Sequence, residues 1–358
     1  MNEHKFPYEW TLSNAIFNKD KGKVFSCFAC GGGSSLGYKL AGFDVIGCND
    51  IDKKMMELYV ENNHPQYTYL CDIRDMVEDD NLPEELYHLD ILDGSPPCSS
   101  FSTSGNRHRD WGKEKKFREG QKTQVLDTLF FDFIALAKKL QPKIVIAENV
   151  KGLMLGKALT YVNDILRDFD DAGYVVKHFL LCAENMGVPQ KRERVFFICV
   201  RKDLAKKCMR PKGLFGSELA IDMDFNETPI AYSEFADNDG KPLTKKILTL
   251  WENIQDGDTD LSNVCVRLFN QVSYLSSHII YDDKVSPTLT AHVDSLIPRC
   301  KPKYTSEREA CLIQSFPLDY NFKKCNPHYV LGMSVPPVMM ANVASCVYEQ
   351  LLKKINEE

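Results

Sequence analysis

The sequence predicts an α/β fold: a doubly wound, mostly parallel sheet with a second, smaller domain of irregular, β-rich character. Three observations predict it. Short apolar runs alternate with helical patterns as far as about Val200, the rhythm then stops, and a helical pattern returns at the C-terminus. A chain of 358 residues is long enough for one large domain plus a smaller one, and 44% apolar residues is ordinary for a protein with a real core.

Val24–Phe28, Val45–Asn49, Asp90–Leu92, Ile144–Ala147 and Val195–Val200 are apolar runs of the kind that form strands buried on both faces. A further strand is expected to end at Asp72. Between them, Leu126, Leu129, Phe130, Phe133, Ile134 and Ala137 repeat at helical spacing, as do Leu159, Val162, Ile165, Leu166 and Phe169. Residues 202–303 are expected to form the smaller domain, because Pro, Gly and Asp clusters such as DNDGKP and IQDGDTD replace the alternation. Residues 304–358 return to the first domain, ending in a helix with Met340, Val343, Ala344, Val347 and Leu351 on one face.

The N-terminus, MNEHKFPYEW, lacks the apolar stretch of a signal peptide, and no run of about 18 apolar residues stands out, so a cytoplasmic protein without membrane contact is expected. Thirteen cysteines without framework spacing read as free thiols in a reducing compartment. Cys27 and Cys30 form a C-x-x-C with no companion pair at zinc spacing, which favours strand-end packing over a metal; no metal is expected. The net charge of −6 is unlike a DNA-binding domain, but the distribution is uneven. Arg107 to Lys122 carries an excess of four positive charges, which on its own fits a solvated loop.

Four motifs carry chemistry. FACGGGSSLGYKLAGF (residues 28–43) follows a strand and opens a helix, so its glycines let the backbone approach a ligand at a helix N-terminus. Asp50 ends the next strand, where a carboxylate accepts from ribose hydroxyls, and Asp72 is placed near an adenine amino group. A purely structural glycine turn is the alternative. The spacing of Gly31, Gly33 and Gly37 departs from the dinucleotide fingerprint, which leans away from NAD. DILDGSPPCSSFSTSG (90–105) runs a buried strand into two prolines that stiffen the backbone just before Cys98, at the edge where such sheets bind ligands. IAENVKGL (146–153) brings Glu148 out at the same edge, as an active acid or a helix cap. In GVPQKRERVFFI (187–198), Gln190, Arg192 and Arg194 share one face at period two, suited to anion or base contacts.

Taken in order, these motifs resemble the DNA cytosine-5 methyltransferase family in its compact bacterial single-chain form. Pro97–Cys98 is similar to its Pro-Cys nucleophile motif, Glu148–Asn149–Val150 to its Glu-Asn-Val motif, and Gln190, Arg192 and Arg194 to its Q-x-R-x-R. TSEREACLIQSFP (305–317) and GMSVPP (332–337) resemble the closing motifs. Ser26, Cys27 and Cys30 depart from the usual opening Asp, Leu and first Gly of the cofactor loop, Ser99 from the usual Gln, and Met333 from the usual Asn.

The resemblance implies an S-adenosylmethionine-dependent methyltransferase fold. Its catalytic and cofactor-binding domain is 1–201, its target-recognition domain 202–303, and 304–358 completes the first. It implies Cys98 as nucleophile, Glu148 on the base's N3 and amine, Arg194 on its O2, and Arg192 on a phosphate or the loop near Cys98. The implied cofactor contacts are Phe28, Ala29, Gly31, Gly32, Gly33, Asp50, Ile51, Asp72, Ile73, Pro97, Leu129, Ser334 and Val335. Ser102, Arg107, Arg109, Lys113, Lys115, Lys116 and Gln190 are the implied DNA contacts, the basic stretch closing over a flipped-out cytosine. The expected partners are duplex DNA and a cognate restriction or defence system, and the expected state is a monomer. The rival readings are a tRNA cytosine-5 methyltransferase, although the Cys-Phe-Thr signature of that branch is missing here, and an inactive DNA-binding relative.

Overall fold

Strand β1 (Lys23–Cys27) leads to helix α1 (Gly33–Leu40), β2 (Asp44–Asp50), α2 (Lys53–Asn63), β3 (Tyr67–Leu70), α3 (Ile73–Glu78) and β4 (Ile91–Gly94). Then come α4 (Leu129–Leu140), β5 (Ile144–Val150), α5 (Ala158–Asp171), β6 (Tyr174–Cys182) and β7 (Glu193–Arg201). The computed structural model describes residues 4–97, 128–156, 158–213, 216–270, 277–292 and 294–357. By compactness the chain divides into two units, one of 16–181, 193–224 and 340–358, the other of 1–15, 182–192 and 225–339. Compactness thus cuts the chain at other places than the boundaries expected at 202 and 304.

The first unit holds a seven-stranded sheet in the order β3-β2-β1-β4-β5-β7-β6. β1 pairs in parallel with β2 and β4, β2 with β3 and β4 with β5, while β7 is antiparallel to β5. The chain winds outward from β1 through β2 to β3, and from β4 to β5 on the other side. The switch point therefore lies between β1 and β4, and ligands of such sheets bind beyond the carboxyl ends there. The expected runs form β1, β2, β4, β5 and β7, since a strand covered on both faces is apolar throughout. Phe25, Leu92, Val145, Ala147 and Phe197 meet Phe130, Phe133 and Ala137 of α4 and Val162, Ile165 and Phe169 of α5 in one core. A Cβ at Gly94 would lie 2.5 Å from the Phe133 ring, so α4 is seated directly on the end of β4.

Asp72 does not end a strand: β3 stops at Leu70, and Asp72 caps α3 by accepting from the Arg74 N–H. Leu159 is exposed, and the buried stripe of α5 is Ala158, Tyr161, Val162, Ile165 and Phe169. A short helix, α6 (Lys202–Ala205), and a hairpin of β8 (Met209–Lys212) and β9 (Gly216–Leu219) follow β7. Met340, Val343, Ala344, Val347 and Leu351 are fully buried, as the C-terminal pattern requires.

In the second unit, α7 (Lys245–Glu252) and α8 (Leu261–Phe269) pack with β10 (His278–Ile280) and β11 (Leu296–Pro298), a parallel pair, around Leu250, Leu261, Val264 and Ile297. Helices α9 (Glu307–Ile313), α10 (Pro327–Met333) and the start of α11 (Pro337–Val347) complete it. The stretch Pro327–Asn356 is, contrary to expectation, long and apolar enough to cross a membrane by composition, but 89% of its apolar window is buried in the protein. It reads as core.

Candidate active site

Beyond β1 the backbone turns left-handed at Phe28 (φ 54°), Cys30 (φ 45°) and Gly32 (φ 74°). Gly32 caps α1, where a Cβ would stand 2.4 Å from Asn63 Nδ2 and 3.1 Å from the Tyr59 ring, so glycine is required on both counts. The loop is tied to β2: Ala29 N–H donates to the Asn49 carbonyl at 3.1 Å and Cys30 N–H to Asp50 Oδ2 at 2.8 Å. Asp50 Oδ1 accepts from Asp52 N–H at 2.8 Å. Burial outweighs these bonds and pushes the Asp50 carboxyl up to about 6. Asp72 is partly engaged as a cap and ion pair, with Arg74 Nη1 3.2 Å away, and Arg74 continues to Asp132 and Thr128. The half-buried Phe28 ring meets Phe133 edge-on at 6.3 Å.

The side chains of Ile73 and Leu129 are only 2% exposed and belong to the core beneath, because each starts a helix on its sheet-facing side. Ser334 and Val335 lie in the second unit, both buried, and Ser334 Oγ is spent on the Val330 carbonyl at 2.8 Å. Their side chains hold that unit together.

At the carboxyl end of β5, Glu148 is buried and pairs with Arg194 Nε at 2.8 Å. The antiparallel register explains the meeting: Glu148 faces Phe196 and Val150 faces Arg194, so acid and guanidinium are diagonal neighbours on one face. Burial lowers the Arg194 pKa and Glu148 opposes that shift. One residue on, Asn149 Nδ2 donates to the Pro96 carbonyl at 3.1 Å, and its Oδ1 accepts from Val150 N–H at 2.9 Å. The Glu148 strand thereby grips the prolyl turn that precedes Cys98.

Gln190 and Arg192 do not join Arg194. β7 starts at Glu193, and both precede it in the second unit. Gln190 is fully buried, donating to Gln314 Oε1 (2.6 Å) and the Ile313 carbonyl (3.1 Å) while accepting from Leu289 N–H (2.9 Å). The Arg192 guanidinium donates to the carbonyls of Leu289, Gly332 and Ser334. Both residues brace this unit, where Gln190 is fully buried. Cys98, Ser102, Arg107, Arg109, Lys113, Lys115 and Lys116 lie outside the described residues.

Among the described residues no group of His, Cys, Asp and Glu could hold a metal. Cys27 is buried and its thiol is pushed far up by burial, so half of the C-x-x-C is core packing. Sequence reasoning passed over Asn149 as an individual residue, and over the buried set Ser26, Tyr38 and Asp93. Ser26 Oγ and Tyr38 Oη donate to the Asp93 carboxylate at 2.7 and 3.2 Å, and burial pushes its pKa up to about 7, with Glu148 adding to the rise. The signal available was an acid inside an otherwise apolar strand.

Comparison with known proteins is consistent with this geometry. The family profile described as C-5 cytosine-specific DNA methylase matches residues 22–349. The chain is 39% identical over 182 residues to the type II methyltransferase M.FnuDI of Fusobacterium nucleatum, a match covering 51% of the chain and 48% of that protein. It is 39% identical over 194 residues to M.NgoPII of Neisseria gonorrhoeae, covering 53% and 51%. The chain thus spans about half the length of these two relatives. Against M.DdeI of Desulfomicrobium norvegicum it is 26% identical, covering 93% of the chain and 91% of the relative. Two solved structures share the fold at a TM-score of 0.60: a prophage-encoded DNA modification methyltransferase of E. coli (21% identity, covering 92% of this chain and 99% of that one) and a DNMT2 variant from Spodoptera frugiperda (17%, covering 94% and 99%).

Proposed function

The chain belongs to the C-5 cytosine-specific DNA methylase family, and on that premise we propose that it methylates carbon 5 of a flipped-out cytosine in a specific duplex DNA sequence, with Cys98 as nucleophile. The observation that carries the reading is the ion pair of buried Glu148 and half-buried Arg194 at the carboxyl end of β5, next to the prolyl turn that leads into Cys98.

The cofactor loop fits a nucleoside-bearing cofactor. Its glycine-capped helix opens beside Asp50, a half-buried carboxylate at the end of β2 that accepts from the Cys30 and Asp52 N–H groups. Phe28, Ala29, Gly31, Gly32, Gly33, Asp50, Ile51 and Asp72 would hold S-adenosylmethionine, with Pro97 at its edge. When bound, that molecule supplies the methyl group.

The chain's own residues make the cytosine able to accept it. Cytosine is electron-poor at C6 and unreactive at C5, so the Cys98 thiolate bonds to C6. Electron density then moves toward N3, where Glu148 supplies a proton or a strong hydrogen bond. Arg194, held by Glu148, would contact the base's O2. After methylation a base removes the C5 proton, the electron pair expels Cys98, and the C5–C6 double bond returns. A stacked base cannot be reached in this way, so the cytosine is flipped out, at a few kcal/mol. The basic stretch Arg107–Lys122 would close over the DNA backbone, and residues 202–303 would read the sequence. The type II relatives favour a restriction or defence setting. Twelve free cysteines among the described residues suit a reducing cytoplasm.

Tritiated methyl transfer to duplex DNA and to tRNA, in parallel, tests the proposal. Incorporation at C5 of cytosine in duplex DNA is expected; transfer to tRNA alone would overturn it in favour of the RNA-directed reading.

A further inference from the structure

The proposed chemistry leaves one buried carboxylate unused. Asp93 on β4 is the direct register partner of Ser26 on β1, across the switch point of the sheet. Ser26 Oγ reaches its Oδ2 and Tyr38 Oη its Oδ1, and all three side chains are 1% exposed or less. Tyr38 belongs to α1, the helix that the glycine loop opens. One acid therefore joins β1, β4 and α1 from beneath the site.

No cation pairs with Asp93 among the described residues, and a buried carboxylate without one costs stability rather than adding it. Its value lies in what the joined strands carry. β1 runs directly into Phe28–Gly32, and β4 into Ser95–Pro97 ahead of Cys98. Both segments leave their strands within a few residues of the Ser26–Asp93 bond, so a shift between the strands moves the cofactor loop against the prolyl turn.

We infer that Asp93 is a positioning residue, which fixes the cofactor loop relative to the turn before Cys98 and supplies from β4 the carboxylate that Ser26 does not supply from β1. This rests on the methyl-transfer reading of the site. It adds a specific requirement to it: the carboxylate must bridge β1 and β4, but either strand can carry it.

The test uses the full chain and two readouts, calorimetric titration with S-adenosylmethionine and hydrogen exchange at Phe28–Gly32 in the unliganded protein. Asp93→Ala should bind about tenfold more weakly or worse, the loss of two hydrogen bonds to a carboxylate, and exchange at the loop should speed up. Asp93→Asn, of the same shape, keeps one accepting oxygen but puts an NH2 donor where the other stood, so only one of the two hydroxyls can still donate to it. Binding and protection should both fall, by less than in Asp93→Ala. Exchanging the pair, with Ser26→Asp and Asp93→Ser together, should recover binding and protection.

Unchanged affinity and exchange in Asp93→Ala would overturn the inference. So would an exchanged-pair protein that folds by circular dichroism yet recovers neither readout. If Asp93→Ala fails to fold, the Asn and exchanged-pair variants decide by the same criteria. A wild type that does not bind S-adenosylmethionine at all would instead remove the proposed function, and exchange at the loop alone would then judge Asp93.

Discussion

Asn149 donates its side-chain amide to the carbonyl of Pro96, 3.1 Å away, so the strand that carries Glu148 also holds the prolyl turn that precedes Cys98 in sequence. Two segments more than fifty residues apart in sequence are fixed by one buried hydrogen bond. In the proposed reaction, the acid that stabilises the ring and the nucleophile that attacks it are thereby positioned together.

Asn149→Ala should leave the Pro96 carbonyl unsatisfied and destabilise the protein by about 1–3 kcal/mol. If the bond positions the turn, single-turnover methyl transfer should fall by about tenfold or more even at temperatures where the variant is fully folded. Chemical denaturation and rapid-quench assays measure the two effects separately. A folded variant with a normal rate would confine Asn149 to stability.

Glu148→Gln should lower methyl transfer by about 10²–10⁴-fold, the range for general acid catalysis, with little change in S-adenosylmethionine affinity. Glu148→Ala should in addition leave Arg194 buried without its partner, a loss of about 3–5 kcal/mol of stability. A near-normal single-turnover rate in Glu148→Gln would take Glu148 out of the chemistry.

Asp50 gives a pH signature. Its pKa stands at about 6 in the free protein, and ribose hydroxyls donating to it would favour the ionised form. Bound cofactor should therefore lower that pKa. Affinity should be full above pH 7 and fall as pH drops through 6, and Asp50→Asn should be weaker and flat. Titration calorimetry from pH 5 to pH 8 reads this directly; a wild-type affinity that does not change across that window would remove Asp50 from the ribose site.

Much of the sheet was legible in the sequence because strands buried on both faces are apolar throughout, as β1, β2, β4, β5 and β7 are. β6 was not, because it lies at the sheet edge and its partly exposed residues, Lys177 and His178 among them, interrupt the run. In α5 the helical period was clear but its phase was not, which put Leu159 on the wrong face. The helices α7 and α8 are short and flanked by Gly and Asp, so they read as irregular chain. At the site, the pairing of Glu148 with Arg194 follows from the antiparallel register of β5 and β7, which neither motif alone discloses. Counting by twos failed for Gln190 and Arg192, since it assumed one continuous strand where β7 starts only at Glu193. Their true partners are about a hundred residues away or more, beyond the reach of any local pattern.

The covalent step is the central claim, and a fluorine at C5 of the target cytosine tests it most directly. The proposed route removes the C5 hydrogen as a proton before Cys98 can leave, and fluorine, though similar in size, cannot depart as a cation. Duplex DNA carrying 5-fluorocytosine at the target should accept the methyl group and then stall, joined to the protein through the Cys98 sulfur. The adduct should survive denaturing electrophoresis, need S-adenosylmethionine to accumulate fully, and vanish in Cys98→Ser, whose hydroxyl is a far weaker nucleophile at neutral pH. Efficient methylation of this substrate with no trapped species, or trapping that persists in Cys98→Ser, would contradict the mechanism.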